Sequence, residues 1–209
     1  MKGFFSRLKK VLGASLEWEE FNFKLRDKMN SMHELDDPWS NAEYINVFKD
    51  ILNSSKFFDS CLEVGAGQGH VTEVLASRFA KVSCVELSAN ALEKAKKKVS
   101  ASKSSLEFFN ENIHDLKLHS QSQVLILSFV LDYLGFKEFP HEFASTLEKL
   151  SKKTEKEIII LNPVYCIEDA ERMKFFSKFF IDKGFHPIKT DLFNFHDHQV
   201  FACLLRRGE

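Results

Sequence analysis

The stretch Cys61–Ala76, CLEVGAGQGHVTEVLA, constrains this chain more than any other. A short apolar run (Cys61, Leu62, Val64) meets three glycines at alternate positions, Gly65, Gly67 and Gly69, and Val71, Val74 and Leu75 then recur at helical spacing. The pattern reads strand, glycine turn, helix. Glycine enters φ > 0 without a Cβ penalty and lets a ligand lie against bare backbone. The helix that follows opens with unpaired N–H groups and a partial positive charge, which favour an anionic group. A dinucleotide fingerprint would read G-x-G-x-x-G; here the spacing is G-x-G-x-G with His at position 70. One acid, Glu63, precedes the glycines, and a second, Glu86, ends the next apolar run.

With 209 residues, 44% of them hydrophobic, the chain can build one full domain plus an added terminal segment. Its 29 basic and 30 acidic residues leave a net charge of −1, which argues against a broad nucleic-acid surface. The four cysteines, at 61, 84, 166 and 203, form no C-x-x-C pair, and three sit in apolar runs, so they read as small buried hydrophobes in a reducing compartment. No apolar run is long enough to span a bilayer, and the basic N-terminus lacks the apolar core of a signal peptide; the expected location is cytoplasmic.

Residues 1–55 form an N-terminal helical extension. Phe4, Phe5, Leu8, Val11 and Leu12 recur at helical spacing between basic residues; the chosen reading is a helix covering the domain rather than lying on a membrane, since Glu17, Glu19 and Glu20 reverse the charge. A second helix is expected over Trp18–Met32, a break at Asp36-Asp37-Pro38, and a third helix capped by Ser40 or Asn41 and running through Leu52. Over 56–209 strands and helices alternate. Strands are expected at Ser60–Val64, Lys81–Leu87, Leu106–Phe109, Val124–Phe129 and Glu157–Leu161, the last stopped by Asn162-Pro163. Helices are expected at His70–Phe79, Ala89–Val99, Glu142–Leu150 and Ile167–Lys183, the last with Gly184 as its left-handed terminator. Such alternation implies a parallel α/β sheet with right-handed crossovers. His186–Phe195 and Gln199–Leu205 add an antiparallel hairpin at one edge, and His196, Asp197 and His198 read as its turn rather than as metal ligands.

The glycine run together with Glu63 and Glu86 resembles the first motif of the class I methyltransferases, which bind S-adenosylmethionine. The resemblance implies a Rossmann-like, seven-stranded, mostly parallel sheet in the order 3-2-1-4-5-7-6. It implies a cofactor site at the carboxyl ends of the strands, with no metal. Gly65, Ala66, Gly67 and Gly69 would support the methionine part, Glu63 would act on its ammonium group, and Glu86 would accept two hydrogen bonds from the ribose hydroxyls. Leu87 would pack on the adenine. Asn112 stands where the family often has an acid that reads the adenine amino group, which an amide carbonyl can also do, and Ile113 follows it. His114 reads as a loop histidine.

The run Ser128–Gly135, SFVLDYLG, is similar to the SEVLYYL run of the nodulation protein S-like methyltransferases, which N-methylate an amino group of a chitin-oligosaccharide-derived signal. That family also carries an Asp-Pro-Trp element and a later Tyr, here Asp37-Pro38-Trp39 and Tyr44. The resemblance covers about residues 36 to 165. It brings Ser128, Phe129, Trp39 and Tyr44 to the cofactor; Trp39 and Tyr44 would close over it as a lid, or Trp39 would instead anchor the N-terminal helices to the sheet. Phe129 replaces the family's Glu, so the amine site is not carried across. The Pro-Pro-aromatic motif of DNA and protein-amide methyltransferases and the Asn-Leu-Pro-Tyr run of ribosomal RNA dimethylases are absent. The expected enzyme therefore transfers a methyl group to N or O of a small-molecule acceptor. Asp132 and Tyr133 are the candidates to steer or remove the acceptor's proton. The alternatives are an RNA or protein methyltransferase using the basic clusters at 2–10 and 94–98, or a non-catalytic binding module on the same fold.

Overall fold

The computed structural model describes residues 24, 42–56, 58–115, 121–131, 140–195 and 198–208. The expected helix over Phe4–Leu12, the Asp36–Pro38 break, the Ser40/Asn41 cap and the site candidates Trp39, Asp132 and Tyr133 lie outside the described residues, as do His196 and Asp197. Of the helix expected over Trp18–Met32, only Lys24 lies within them, in helical conformation.

Seven strands form one sheet: β1 Ser60–Val64, β2 Lys81–Val85, β3 Ser105–Phe109, β4 Ser122–Ser128, β5 Thr154–Val164, β6 Phe185–Asn194 and β7 Gln199–Arg207. Their order is β3-β2-β1-β4-β5-β7-β6. The first five run parallel, and β7 inserts antiparallel between β5 and β6. This is the Rossmann-like sheet and antiparallel hairpin expected above. The described helices are α1 Ala42–Ser54, α2 His70–Ala76, α3 Ala89–Lys98, α4 Pro140–Lys153 and α5 Ile167–Ile181.

Both faces of the central strands are covered, which is why they read as continuous apolar runs. Successive residues divide between two cores. Cys61, Val124, Ile126, Ile159 and Leu161 pack on one side with Phe48 and Ile51 of α1 and Leu75 of α2. Leu62, Val64, Leu125, Leu127, Ile158 and Ile160 pack on the other with Phe143 and Leu147 of α4 and Phe176 and Phe180 of α5. Helix α1 is held because Tyr44, Val47, Phe48, Ile51 and Leu52 fall on one buried stripe.

Several boundaries differ from the expectation for local reasons. β5 does not stop at Asn162-Pro163 but continues to Val164, with Pro163 opposite Val200 of β7. Alternate residues of a strand address alternate neighbours. Leu161 accepts from Phe129 N–H on the β4 side at 2.8 Å. Pro163 therefore faces that same side, beyond the last β4 pairing, and its missing N–H is not needed. α2 stops at Ala76, where Ser77 Oγ donates to the Val74 carbonyl at 2.7 Å. α4 starts earlier, at Pro140, a residue suited to a first turn. α5 ends at Ile181, and Asp182 and Lys183 turn before Gly184 takes φ +87. β4 ends at Ser128, because Phe129 swings to φ +55.

At the sheet end away from the glycine turn, Glu157 is 0% exposed and accepts from Arg206 Nε at 2.6 Å and from the Ser55 hydroxyl. Arg206→Ala would leave that carboxylate without its cation and is expected to cost about 2 kcal/mol, below the range for a fully buried pair because Arg206 meets solvent. Urea unfolding checks this; an unchanged midpoint would show the pair to be energetically silent.

Candidate functional site

The carboxyl ends of β1, β2, β3 and β4 meet at one edge of the sheet, and the glycine turn lies there. Gly65, Gly67 and Gly69 have φ of +78, +53 and +86. Gly65 and Ala66 donate to the Val85 carbonyl at 2.8 and 3.2 Å, fastening the turn to the end of β2. Two of the glycines are required sterically. A Cβ on Gly69 would lie 2.7 Å from Ala95 Cα, so the start of α2 rests directly on the α3 backbone. A Cβ on Gly65 would meet the Val130 side chain at 3.2 Å, just past β4.

Glu86, 5% exposed, reaches back over this turn. Its Oε2 accepts from Gly67 N–H at 2.9 Å and its Oε1 from Ser88 N–H at 2.7 Å. Ser88 in turn caps α3 through Ala91 N–H at 3.2 Å. Each carboxylate oxygen keeps a further acceptor position. The carboxylate thus stands fixed between the glycine turn and the start of α3, with its remaining lone pairs available for donors such as a vicinal diol.

Glu63 is 1% exposed and lies on the same sheet face as Cys61. Its Oε2 accepts from Thr72 Oγ1 at 2.6 Å and from Cys84 Sγ at 3.5 Å, while Oε1 has no partner among the described residues. Burial pushes this carboxyl up to about 8; the bonds from Thr72 and Cys84 oppose the rise, and the charge of Glu86 adds to it.

Beyond β3, Asn110 Nδ2 donates to the carbonyls of Glu86 and Leu87, both at 3.0 Å, tying the two loops together. Asn112 is buried and its Oδ1 accepts from His114 N–H at 3.1 Å, so its carbonyl is already engaged; Nδ2 has no partner among the described residues. Ile113 is buried beside it and Leu87 is half-buried. Ser128 Oγ, at the end of β4, is likewise buried without a partner among the described residues. His114 is not a plain loop residue. It is 7% exposed, its Nδ1 hydrogen-bonds Thr146 of α4, and burial, helped by the Lys149 charge, lowers its imidazole to about 4. Glycine backbone, a paired carboxylate, an orphaned amide nitrogen and an orphaned hydroxyl therefore converge on one sheet edge.

Residues 61–153 match the family model described as a methyltransferase domain. Over that segment the chain is similar to methyltransferase domains. No curated protein matches it by sequence. Among solved structures, the N-methyltransferase NodS from Bradyrhizobium japonicum WM9, crystallised with S-adenosyl-L-homocysteine, superposes with TM-score 0.74 at 14% identity, over 88% of this chain and 99% of that one. Magnesium protoporphyrin IX methyltransferase (ChlM) from Synechocystis PCC 6803, with bound S-adenosylmethionine, gives 0.69 at 15% identity, over 90% and 97%. The PH0226 protein of Pyrococcus horikoshii OT3 gives 0.63 at 13% identity, over 82% and 94%. At these identities the likeness is one of fold.

On this methyltransferase fold, Phe129 and Tyr44 stand close, their rings 5.3 Å apart and edge to face. Tyr44 also donates to or accepts from His198 Nε2 at 2.7 Å, joining α1 to the start of β7. Asn110 and His198 are contacts that the sequence reading missed. Asn110 had one signal, an amide directly after a strand; His198 had none, since its partner is 154 residues away.

Among the described residues there is no cluster of metal-ligating side chains and no helix long and apolar enough to cross a membrane. All four cysteines are free, three of them buried.

Proposed function

We propose that this chain is a methyltransferase that transfers a methyl group from S-adenosylmethionine to N or O of a small molecule. The observation that carries the reading is the Glu86 carboxylate, held by Gly67 N–H at 2.9 Å and Ser88 N–H at 2.7 Å beside the glycine turn. When bound, S-adenosylmethionine supplies a methyl carbon made electrophilic by its sulfonium. The residues present fit that group. Glu86 accepts from both ribose hydroxyls with its remaining lone pairs. The Gly65–Gly69 backbone would support the methionine part, with Glu63 buried in the strand that leads into it. Leu87 and Ile113 pack on the adenine. Asn112, whose carbonyl is engaged, presents its Nδ2 as a donor to a ring nitrogen, and Ser128 adds a hydroxyl at the end of β4.

The acceptor would have to approach that carbon in line with the sulfonium. The chain's part is to align the two and keep water out. Asp132 and Tyr133, directly after buried Leu131, are assigned to hold the acceptor and take its proton. Residues 1–55, with Trp39 and Tyr44, are assigned as a cover over 56–209. The near-zero net charge and the free cysteines support a small-molecule acceptor and a reducing, cytoplasmic setting.

Calorimetry with S-adenosylhomocysteine tests the reading; no binding at millimolar ligand would end it. Glu86→Ala is expected to weaken that binding by roughly 1–3 kcal/mol, the scale of hydrogen bonds to a charged group. An unchanged Kd would remove Glu86 from the ribose.

A further inference from the structure

The segment after β3 is anchored on two sides. Asn110 Nδ2 donates to the carbonyls of Glu86 and Leu87, both at 3.0 Å. Ile113 is buried in the core that holds Val64 and Val85, the last residues of β1 and β2. The segment therefore sits at the same strand ends as the glycine turn. On its other side, His114 Nδ1 hydrogen-bonds Thr146 Oγ1, and Lys149 Nζ donates to the His114 carbonyl at 3.0 Å, which fastens it to α4. Asp115 N–H donates to the Asn112 carbonyl at 3.0 Å and closes the turn between them.

Within this fixed segment the side-chain amide of Asn112 has a defined direction. His114 N–H donates to it at 3.1 Å, and an N–H is accepted only by the amide oxygen. Oδ1 therefore faces His114, and Nδ2 faces away from it. Asn112 is 5% exposed, and Nδ2 has no partner among the described residues. A buried donor left unpaired costs free energy. Local turn formation does not account for that cost. The turn uses only an acceptor, which Asp or Ser supplies equally well without burying a spare donor.

Strand order shows what such a donor could meet. The glycine turn assigned to the methionine part follows β1, Glu86, assigned to the ribose, follows β2, and β3 is the next strand outward. A base attached to that ribose would lie toward the segment after β3, where Asn112 stands. We infer that Asn112 reads the base as a hydrogen-bond donor, so that the site takes a purine with an acceptor on its six-membered ring and does not demand the 6-amino group. The inference rests on the methyltransferase reading above and adds the base specificity of the cofactor site. Adenine offers N1 as the acceptor, and hypoxanthine, whose N1 carries a proton, offers O6. A donor serves both. A carboxylate in the same place would accept from the 6-amino group and repel O6.

Calorimetry on the full chain, with S-adenosylhomocysteine and its 6-oxo counterpart S-inosylhomocysteine, tests this. The parent is expected to bind the two with affinities within about fivefold of each other, less than one hydrogen bond is worth. Asn112→Asp keeps an acceptor for His114 N–H and puts an oxygen in place of Nδ2. It is expected to favour S-adenosylhomocysteine by about tenfold or more. Asn112→Ser keeps the turn's acceptor and withdraws the donor, and is expected to weaken both ligands by a similar factor, roughly three- to tenfold. Thermal unfolding shows which variants are folded; the parent's own ratio needs no variant. A parent ratio outside fivefold, a folded Asp variant without the adenine preference, or a folded Ser variant with both affinities unchanged overturns the donor assignment and leaves the cofactor reading intact. A parent that binds neither ligand overturns both.

Discussion

Gly69→Ala is expected to lose roughly 2–5 kcal/mol of folding stability, the sum of a left-handed backbone forced on an L-residue and an overpacked contact. The residue sits at φ +86 as the N-cap of α2, and the added methyl would meet Ala95 Cα at 2.7 Å and Ala95 Cβ at 2.9 Å. Neither neighbour is the yielding tip of a long side chain. α2 must therefore lift from α3 or the turn must open, and either movement displaces Gly67 from Glu86, which it contacts at 2.9 Å. The variant should show a lowered midpoint in urea and weaker binding of S-adenosylhomocysteine in the temperature range where it stays folded. Ala95→Gly in the same chain should recover part of the stability by removing the Cβ contact, though not the backbone term. A Gly69→Ala protein as stable as the parent would mean that the turn adopts another conformation.

Glu63 is expected to give the protein an unusual dependence on pH. Its carboxyl is held up at about 8 in the folded chain, chiefly by burial, against an ordinary value of 4.5. Between those values the folded state keeps a proton that the unfolded state has released. The group's contribution is therefore complete below pH 4.5 and declines as the pH rises toward 8, by about 1.4 kcal/mol per pH unit. Other carboxyls, such as Glu107 held down by Lys81, act in the opposite sense, so the measurement is a difference. The stability of Glu63→Gln relative to the parent should rise by about 3 kcal/mol between pH 5 and 7.5. A difference that stays level across that interval would show Glu63 to be ionised in its buried place. Because the amide cannot ionise, the slope is informative even if the variant is less stable throughout.

Legibility in the sequence followed the range of the forces involved. The glycine turn, the continuous runs of β4 and β5 and the hairpin at the end are local patterns, legible without tertiary information; the order of the seven strands came from the resemblance to the methyltransferases. Pro163 misled because a proline ends a strand only where its missing N–H would have been used, and that depends on β4 having already stopped. His114 misled because nothing near it in the chain shows that Thr146 and Lys149 will cover it. Asn112 was expected to offer its carbonyl, yet the direction of its amide was set by a neighbouring N–H, which leaves the nitrogen rather than the carbonyl without a partner among the described residues.

By itself, the order of residues determined the α/β alternation, the place of the glycine turn and the acid at the end of β2, because period-two and period-3.6 apolar spacing and bare glycine backbone act within a few residues. Only the tertiary structure decided that Glu86 spans from β2 to Gly67, that Glu63 is shut away from water, and that Tyr44 meets His198. Those relations join segments up to 154 residues apart, and they exist only once the sheet has brought the strand ends to a common edge.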